Sequence, residues 1–438
     1  MSESSEQVIR LGTREELYLE SAGTRWMGIF GALGVISLGI AFGLGMAMHD
    51  HLRQFFFSYL TAWVFCFAIG ASALLFVIGH HLFRSTWSVV VRRLAEGLAG
   101  NFVPLLVLFI PIIFGMRQLY PWMSATYMNS TPDLHNKIGY LNPQFFYIRM
   151  ALYAVALIGI SVYMRFASLK QDQDGKVRRL LTLQWNSAWC YLTIFWVINM
   201  AGADLLMTLE PTWITYIDPG FFFAATAMMI YAVLPLLTMT LQAGGRLKNA
   251  VSAEHYEDMG RWLFAWAMFW TYLGFAQYML IWYANKPDET LNYLVRDMGP
   301  WLVLTIALFL GHFIIPLFGM LPRQSKRKKP LLAFWCIWLL FFAYLDFFEQ
   351  IQPQVWSATK IGQKAMAGIH KFNPYVLPHD LAKIAWLPLH PMALATSLLC
   401  LMGIGSLFMA HTCYLLQRGS LIPLKDPKLP ESLAFENF

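Results

Sequence analysis

The sequence predicts an all-α integral membrane protein with ten transmembrane helices. Of its 438 residues, 58% are hydrophobic and only 13% are charged, whereas a soluble domain carries about 25% charged residues. The hydrophobic residues fall in long runs, and a helix needs about 20 mostly apolar residues to cross a bilayer. These two observations exclude a soluble globular protein and indicate a chain that crosses a membrane several times.

The charges and the cysteines exclude several other classes of protein. The net charge of +7 does not indicate a nucleic-acid partner, because the basic residues lie in short loops between apolar runs and contact membrane lipids there. The five cysteines lie inside apolar runs and form no Cys-x-x-Cys or Cys-x-x-Cys-His motif. Covalent haem attachment, iron–sulfur ligation and a zinc site are therefore unsupported. We expect neither a catalytic residue nor a metal ligand in this chain.

Ten segments are apolar and long enough to span the bilayer. In order, they are residues 26–48, 55–83, 95–117, 143–168, 181–208, 219–243, 260–284, 295–321, 331–349 and 390–417. Segment 1 is rich in glycine, and its Gly39 and Gly43 form a small-xxx-small pair of the kind that lets another helix approach closely. Segments 3 and 6 contain prolines.

Segments 2–5 and 6–9 have comparable lengths and loop patterns, which indicates two four-helix bundles with segments 1 and 10 at the periphery. This interpretation divides the chain into a tail (1–25), the first helix and its loop (26–54), two bundles (55–209 and 217–350), a long loop (351–389), and the last helix with its tail (390–438). The two bundles show no convincing sequence similarity to each other.

The distribution of Lys and Arg predicts the orientation of the chain. The two tails and the alternate loops on their side hold 22 of the 32 basic residues, and the opposite loops hold nine. The positive-inside rule therefore places both termini in the cytoplasm. The polar residues 1–25 lack the apolar core of a signal peptide, so we expect segment 1 to be retained.

The stretch Trp63–Glu96 carries the first group of candidate proton-path residues. His80 and His81 end segment 2, where they are either solvated at the interface or the start of a proton path, because imidazole titrates near neutrality. Glu96 follows Arg92 and Arg93 at four and three residues, spacings that meet on one helix face. A local ion pair and a proton relay both fit this spacing.

The second group lies near the opposite ends of the helices. Asp204 in segment 5 is flanked by small and apolar residues, and a carboxylate is costly there without a partner. Arg149 in segment 4 is a candidate partner for Asp204 or for Glu210, which ends segment 5. Asp346 and Glu349 in segment 9 either form the exit of a proton path or cap the helix at the interface.

Two further histidines lie singly among apolar neighbours. For His312 in segment 8 and His411 in segment 10, the sequence favours a hydrogen-bonded structural role. No spacing couples either of them to another histidine as haem ligands.

Three stretches of the sequence resemble one family of membrane subunits. They are Trp63–Glu96 with Pro104–Trp122, which ends in Leu-Tyr-Pro-Trp; Phe275–Asn285 (Phe-Ala-Gln-Tyr-Met-Leu-Ile-Trp-Tyr-Ala-Asn) with Pro287 and Glu289; and Gly311–Leu317 (Gly-His-Phe-Ile-Ile-Pro-Leu). They are similar to the NrfD and polysulfide-reductase type subunits and, more narrowly, to the ActF-type subunits of bacterial alternative complex III. The resemblance covers all ten segments.

The resemblance implies a place in a quinol:electron-acceptor oxidoreductase of the bacterial cytoplasmic membrane. In that family the partners are a sister NrfD-like subunit of the ActC type, an iron–sulfur subunit, and multihaem and monohaem cytochrome c subunits. Electrons pass to a cytochrome or a terminal oxidase. Haem c, iron–sulfur clusters and quinol are therefore expected in the partner subunits and not in this chain.

One difference separates this chain from the quinol-oxidising sister subunit. The second helix of that subunit carries a histidine after a Gly-x-Gly turn, and this chain has Ile69-Gly70-Ala71-Ser72 at the corresponding place. The resemblance therefore implies a subunit without a quinol-oxidising site of its own, for which a proton path has been suggested.

The sequence leaves three functions open. The first is a subunit that supports quinol oxidation and carries two proton half-paths, formed by His80, His81, Glu96, Asp204, Asp346 and Glu349. The second is a purely structural scaffold. The third is a secondary transporter with a midplane site, although segments 2–9 lack matching pairs of broken helices.

Overall fold

The computed structural model describes residues 13–286, 289, 290, 293, 296, 300–357 and 387–437. All regular structure in these residues is helical. The long units are α1 (Glu20–Ala47), α2 (Arg53–Leu82), α3 in three pieces (α3a, Val89–Ala99; α3b, Phe102–Val107; α3c, Ile110–Leu119), α4 (Pro143–Asp174), α5 (Val177–Leu205), α6 (Ile217–Ala243), α7 (Ala253–Ala284), α8 (Pro300–Met320), α9 (Lys329–Ile351) and α10 (Pro391–Leu416).

Short helices occupy several of the connections. They are Arg14–Leu17, Ala125–Met128, Pro132–Asn136, Arg323–Arg327, Gln354–Ser357 and Leu429–Leu433, with 3-10 turns at Pro121–Met123, Met207–Leu209 and Leu387–Leu389. Most of the predicted long loop 351–389, including its amphipathic stretch 357–370, lies outside the described residues.

The predicted all-α membrane class is confirmed. Within the described residues, eight helices are long and apolar enough to cross a bilayer, and a ninth is added if the bent α3 counts as one span. The remaining unit, α7, has 32 residues and is long enough, but it holds many tryptophans and tyrosines in place of aliphatic residues. Ten spans therefore remain a prediction.

Helix α2 lies at the centre of the molecule. In its most apolar window 89% of the residues are buried, whereas the corresponding value for α1 is 17%. It packs against α3, α5, α6, α9 and α10. Because other helices surround it, its apolar residues are not confined to one face. Because α2 and α6 contact each other, the two predicted bundles share one continuous core.

Contacts between distant parts of the chain define two ends of the molecule. At one end, which we call the tail end, the amide of Leu421 donates to Leu17 O at 2.8 Å and the amide of Leu247 donates to Glu16 O at 3.1 Å. The C-terminal residues 418–437 lie across this end. The opposite end, which we call the far end, holds the loops after α1, α3, α5, α7 and α9.

The third predicted segment is not one straight helix, because α3 bends by 62° between Val89–Val107 and Ile110–Leu119. Pro111 has no amide hydrogen and cannot continue the helical hydrogen-bond ladder. Two side chains of α2 satisfy carbonyls at the break: Trp63 Nε1 donates to Leu105 O at 2.9 Å and Tyr59 OH donates to Leu108 O at 2.8 Å.

Candidate functional site

Three groups of buried ionisable residues lie inside the helix assembly. The tail-end cluster consists of Arg92, Arg93, Glu96, Asp172 and Asp426. The clamp consists of Arg149, Asp204, Tyr140 and Tyr153. The far-end acid cluster consists of Asp346 and Glu349 with Arg296 and Trp270. Each group joins helices that are distant in sequence.

In the tail-end cluster, α3a contacts α4 and the C-terminal segment. The Arg93 guanidinium lies 2.6 Å from Asp172 Oδ2 and 3.3 Å from Glu96 Oε2, while Arg92 lies 3.8 Å from Glu96 Oε1 and pairs with Asp426. The i+3 and i+4 spacings from the arginines to Glu96 therefore do bring these side chains together. Asp172 and Asp426 are additional acids that the sequence reasoning missed, because they lie in other parts of the chain.

This cluster contains several buried polar atoms that make no hydrogen bond to a described residue, although some of them belong to the ion pairs above. They include both carboxylate oxygens of Glu96, Nε and Nη1 of Arg93, Oγ of Ser168 and Nε2 of Gln171. Buried polar groups without protein partners are normally bonded to ordered water. The cluster therefore has the donors and acceptors to hold internal water, and chains of water conduct protons.

The two histidines at the end of α2 are buried by other parts of the chain. His80 is 8% exposed and His81 is 2% exposed, so these side chains are buried within the chain and are not solvated. His80 Nδ1 lies 2.9 Å from Phe76 O, and its ring contacts Phe76 and Trp87. Nearby, Lys428 Nζ donates to Arg84 O at 2.5 Å, and burial lowers the pKa of this lysine.

The clamp joins α4 to α5 through Asp204. Arg149 Nε donates to Asp204 Oδ2 at 2.8 Å and Nη2 donates to Oδ1 at 2.9 Å. The hydroxyls of Tyr140 and Tyr153 each donate to one of the same oxygens at 2.9 Å. A carboxylate has about four lone-pair sites, and donors fill all of them here. Asp204 is thus bound as a fixed anion, and Glu210 does not take part.

Asp346 has a different environment, although it is also buried. Trp270 Nε1 donates to Asp346 Oδ2 at 3.1 Å, and Gln350 Nε2 donates to Oδ1 at 3.0 Å. Both donors are neutral. Each carboxylate oxygen accepts one hydrogen bond and therefore keeps a lone pair that can accept a proton. The side chain lies on α9 and is only 2% exposed, which excludes the helix-cap interpretation for it.

Glu349 lies one turn from Asp346, towards the far end. Thr305 Oγ1 donates to Glu349 Oε1 at 3.3 Å, and Arg296 Nε lies 3.9 Å from the same oxygen. Arg296 is one of the residues that the sequence reasoning missed, since it precedes α8 in a connection with no motif. The two acids and the arginine form a polar patch that begins at the far end and continues inwards to Asp346.

The single histidines of α8 and α10 have separate surroundings. The His312 ring stacks on Trp270 with 3.9 Å between ring centroids, and Nε2 lies 3.4 Å from Met228 Sδ. His411 Nδ1 lies 3.1 Å from Asn101 Oδ1 at the junction of α3a and α3b. The predicted hydrogen-bonded role fits His411, whereas His312 contacts the residue that donates to Asp346.

The stretch Gly70-Ala71-Ser72 of α2 lies in a helix contact. Ser72 on α2 accepts a hydrogen bond from the amide of Ile230 on α6 at 2.7 Å, and Ala71 is fully buried. A second helix therefore occupies the space next to Gly70-Ala71-Ser72. No group of His, Cys, Asp and Glu that could hold a metal ion occurs in the part of the chain that the structure describes.

No protein-family model matches the chain, and no curated protein matches its sequence.

Proposed function

We propose that the chain is a membrane subunit of the ActF type in an alternative complex III. In this role it supports quinol oxidation and electron transfer to a cytochrome or terminal oxidase, and it carries a proton path without a quinol-oxidising site of its own. The resemblance of Trp63–Glu96, Phe275–Asn285 and Gly311–Leu317 supports the family. The multi-pass helical architecture and the buried acids support the proton path.

The observation that carries the proton path is the bonding of Asp346. Its carboxylate is buried in the interior of a membrane protein, yet its two hydrogen-bond donors, Trp270 and Gln350, are neutral. An acid in such a position is costly and usually belongs to an ion or proton pathway. Asp346 can bind and release a proton, because a proton on one oxygen displaces no salt bridge.

The buried groups divide into two half-paths. The tail-end half contains Glu96 with Arg92 and Arg93, next to His80 and His81, and the unpartnered atoms there provide sites for water. The far-end half contains Glu349 and Asp346. By the positive-inside rule the tail end faces the cytoplasm, so the two halves open to opposite sides of a bacterial cytoplasmic membrane.

The proposed partners follow from the family. They are the ActC-type sister subunit, an iron–sulfur subunit, and multihaem and monohaem cytochrome c subunits, with the surrounding lipids. The redox cofactors belong to these partners. Affinity purification of this chain from its native membrane is expected to recover them, and recovery of the chain alone would contradict the assignment.

The proton path is tested by the substitution Asp346→Asn in the assembled complex. An asparagine oxygen still accepts from Trp270, so the fold is expected to persist while the proton-binding group is lost. We expect quinol oxidation to continue with fewer protons released per quinol, measured with a pH-sensitive dye in proteoliposomes. The control is Asp346→Glu, which keeps a carboxyl group at this position and is expected to retain proton release.

A structural scaffold is the second candidate, and the clamp favours it. Asp204 is bound by four donors, which suits a residue that fixes α4 against α5. If neutralising His80, His81, Glu96, Asp204, Asp346 and Glu349 left both turnover and coupling intact, the scaffold would be the function.

A secondary transporter is less well supported. A transporter built from repeats places broken helices at corresponding positions of its halves. The irregular helices here are α3 and α8, which are the second and third members of their four-helix groups and so do not correspond.

A further inference from the structure

The far-end half-path has a residue beyond Asp346 to which the proton can pass. His312 is fully buried on α8, and its ring stacks on Trp270, whose indole N–H donates to Asp346. The contacts Asp346–Trp270–His312 connect three helices, α9, α7 and α8. They extend the polar patch of the far end by one more titratable side chain.

The two nitrogens of His312 differ in their surroundings. Nε2 lies 3.4 Å from Met228 Sδ, and a thioether sulfur can only accept a hydrogen bond. Nε2 therefore carries the hydrogen of the neutral ring, and Nδ1 has a free lone pair. Nδ1 is buried and has no partner among the described residues.

A buried lone pair without a partner is unfavourable, and buried polar groups that lack a protein partner are commonly hydrogen-bonded to ordered water. Thr226 lies two residues before Met228 on α6, and its Oγ1 is also buried without a partner in the described part of the chain. The interior of this half of the molecule thus has more than one polar atom that requires water.

The backbone around His312 is irregular in a way that supports a functional role. Residues Phe309–Ile314 form a π-helix, a geometry that is rare and frequently found at functional sites. Pro316 has no amide hydrogen, so Gly311 O is left free and accepts from Trp338 Nε1 at 2.7 Å. The His312 ring that stacks on Trp270 lies within this irregular turn.

We propose that His312 is the inner proton-carrying residue of the far-end half-path and exchanges its proton with Asp346 through a water molecule at Nδ1. This inference rests on the proposed proton-conducting function and adds a residue to it. The Asp346 carboxyl gives a proton to the water, and the water gives one to Nδ1, which leaves a carboxylate and an imidazolium. The reverse transfer restores both neutral groups.

The groups that face His312 set the conditions for this exchange. Met228 on α6 and Trp270 on α7 are neutral, Phe342 on α9 packs at Gly311, and Asp346 is the carboxyl reached through Trp270. An imidazolium at His312 is therefore stabilised when Asp346 is ionised. Protonation of His312 and deprotonation of Asp346 thus favour each other.

The test compares His312→Gln with His411→Gln in the assembled complex. His411 is the other single histidine of a transmembrane helix and hydrogen-bonds to Asn101, so its variant controls for the loss of a buried imidazole. We expect H312Q to lose proton release per quinol to the same extent as Asp346→Asn, and H411Q to keep it. The ratio is measured over a range of pH, because a structural defect would lower turnover at every pH without changing the ratio.

The outcomes separate this inference from the proposed function. Loss of coupling in D346N with full coupling in H312Q would overturn the role of His312 and leave the proposed function standing. Full coupling in both variants would overturn both. Since H312Q can fail to assemble, His312→Asn is made in parallel. The variant that co-purifies with the partner subunits is the one used to measure proton release.

Discussion

At the scale of single residues, the partners of a buried carboxylate decide what it can do. Asp204 and Asp346 are both almost completely buried. Asp204 is held by a guanidinium and two phenols, whereas Asp346 is held by an indole and an amide. The first arrangement fixes a charge in place, and the second leaves the acid free to exchange a proton.

Substitution of Asp204 is therefore expected to affect stability more than coupling. Asp204→Asn leaves the Arg149 guanidinium buried without its counter-charge, and breaking a buried pair in this way costs about 3–5 kcal/mol. The free energy of unfolding in detergent micelles, followed with a denaturant, measures this loss.

The matched control for Asp204→Asn is Tyr153→Phe. It removes one hydroxyl that donates to the same carboxylate, and the expected loss is about 1 kcal/mol. Equal losses in the two variants would contradict the importance of the Arg149 charge. A fully stable D204N protein with uncoupled turnover would place Asp204 in the proton path instead.

The sequence predicted most of the ionisable residues and two of the pairings, Arg149 with Asp204 and Arg92 and Arg93 with Glu96, but not the neutral partners of Asp346. Every acid chosen from the sequence was chosen because a charge among apolar residues is unusual, and each of them is buried. Asp172, Asp426 and Arg296 escaped notice because they lie near helix ends or in connections, where charges are ordinary. The role of His312 also depended on neighbours from two other helices, which no local pattern contains.

At the scale of helices, glycines allow α1 and α10 to pack closely against each other. A methyl group on Gly34 would lie 2.6 Å from Leu407 Cγ, and one on Gly403 would lie 2.5 Å from Leu38 Cγ. Nothing lies within 4 Å of the corresponding positions at Gly39 and Gly43. The close approach predicted at Gly39 and Gly43 does not occur within the described chain, and the glycine contact of α1 with α10 lies at Gly34 instead.

The substitution Gly34→Ala tests this contact against Gly39→Ala on the same helix. The added methyl group at position 34 overlaps Leu407, and overpacking of this kind costs about 1–3 kcal/mol. At position 39 the methyl group enters open space, so we expect no loss of stability. Thermal unfolding in detergent distinguishes the two variants, and equal melting temperatures would show that α1 does not pack as described.

The positions of the helices along the sequence were easier to predict than the bends within them. Hydrophobic length placed the starts and ends of α2, α6 and α9 within a few residues, because the bilayer requires a minimum apolar length. The start of α4 was also predicted, but the helix continues beyond residue 168 to Asp174. The break in α3 was not predicted, since prolines in membrane helices can also produce gentle kinks. The hydrogen bonds from Tyr59 and Trp63 that stabilise the break come from another helix.

At the scale of the whole molecule, the two ends differ in charge. The tail end collects the first and last described residues of the chain and the basic loops, and the loops of the far end have few basic residues. Positive loops remain on the cytoplasmic side during membrane insertion. The orientation of the entire chain thus follows from this asymmetry.

Cysteine labelling tests the orientation. The five native cysteines lie within transmembrane helices, so they contribute little labelling by a membrane-impermeant thiol reagent. Asp133 at the far end and Lys248 at the tail end are both exposed. In intact cells we expect Asp133→Cys to react at once and Lys248→Cys to react only after permeabilisation. The opposite pattern would reverse the predicted topology.

The pairing of α1 with α10 has a consequence for how the protein is made. Helix α1 leaves the ribosome before the other nine long helices, and α10 leaves it after them. Most of α1 is exposed on the surface of the chain, and its extensive contact with the other helices is the one with α10. Until α10 is synthesised, α1 therefore lacks its main helix contact and lies in the bilayer as a nearly independent glycine-rich helix. The insertion of α10 then closes the assembly, so a nascent chain halted before residue 391 leaves α1 exposed to quality-control proteases.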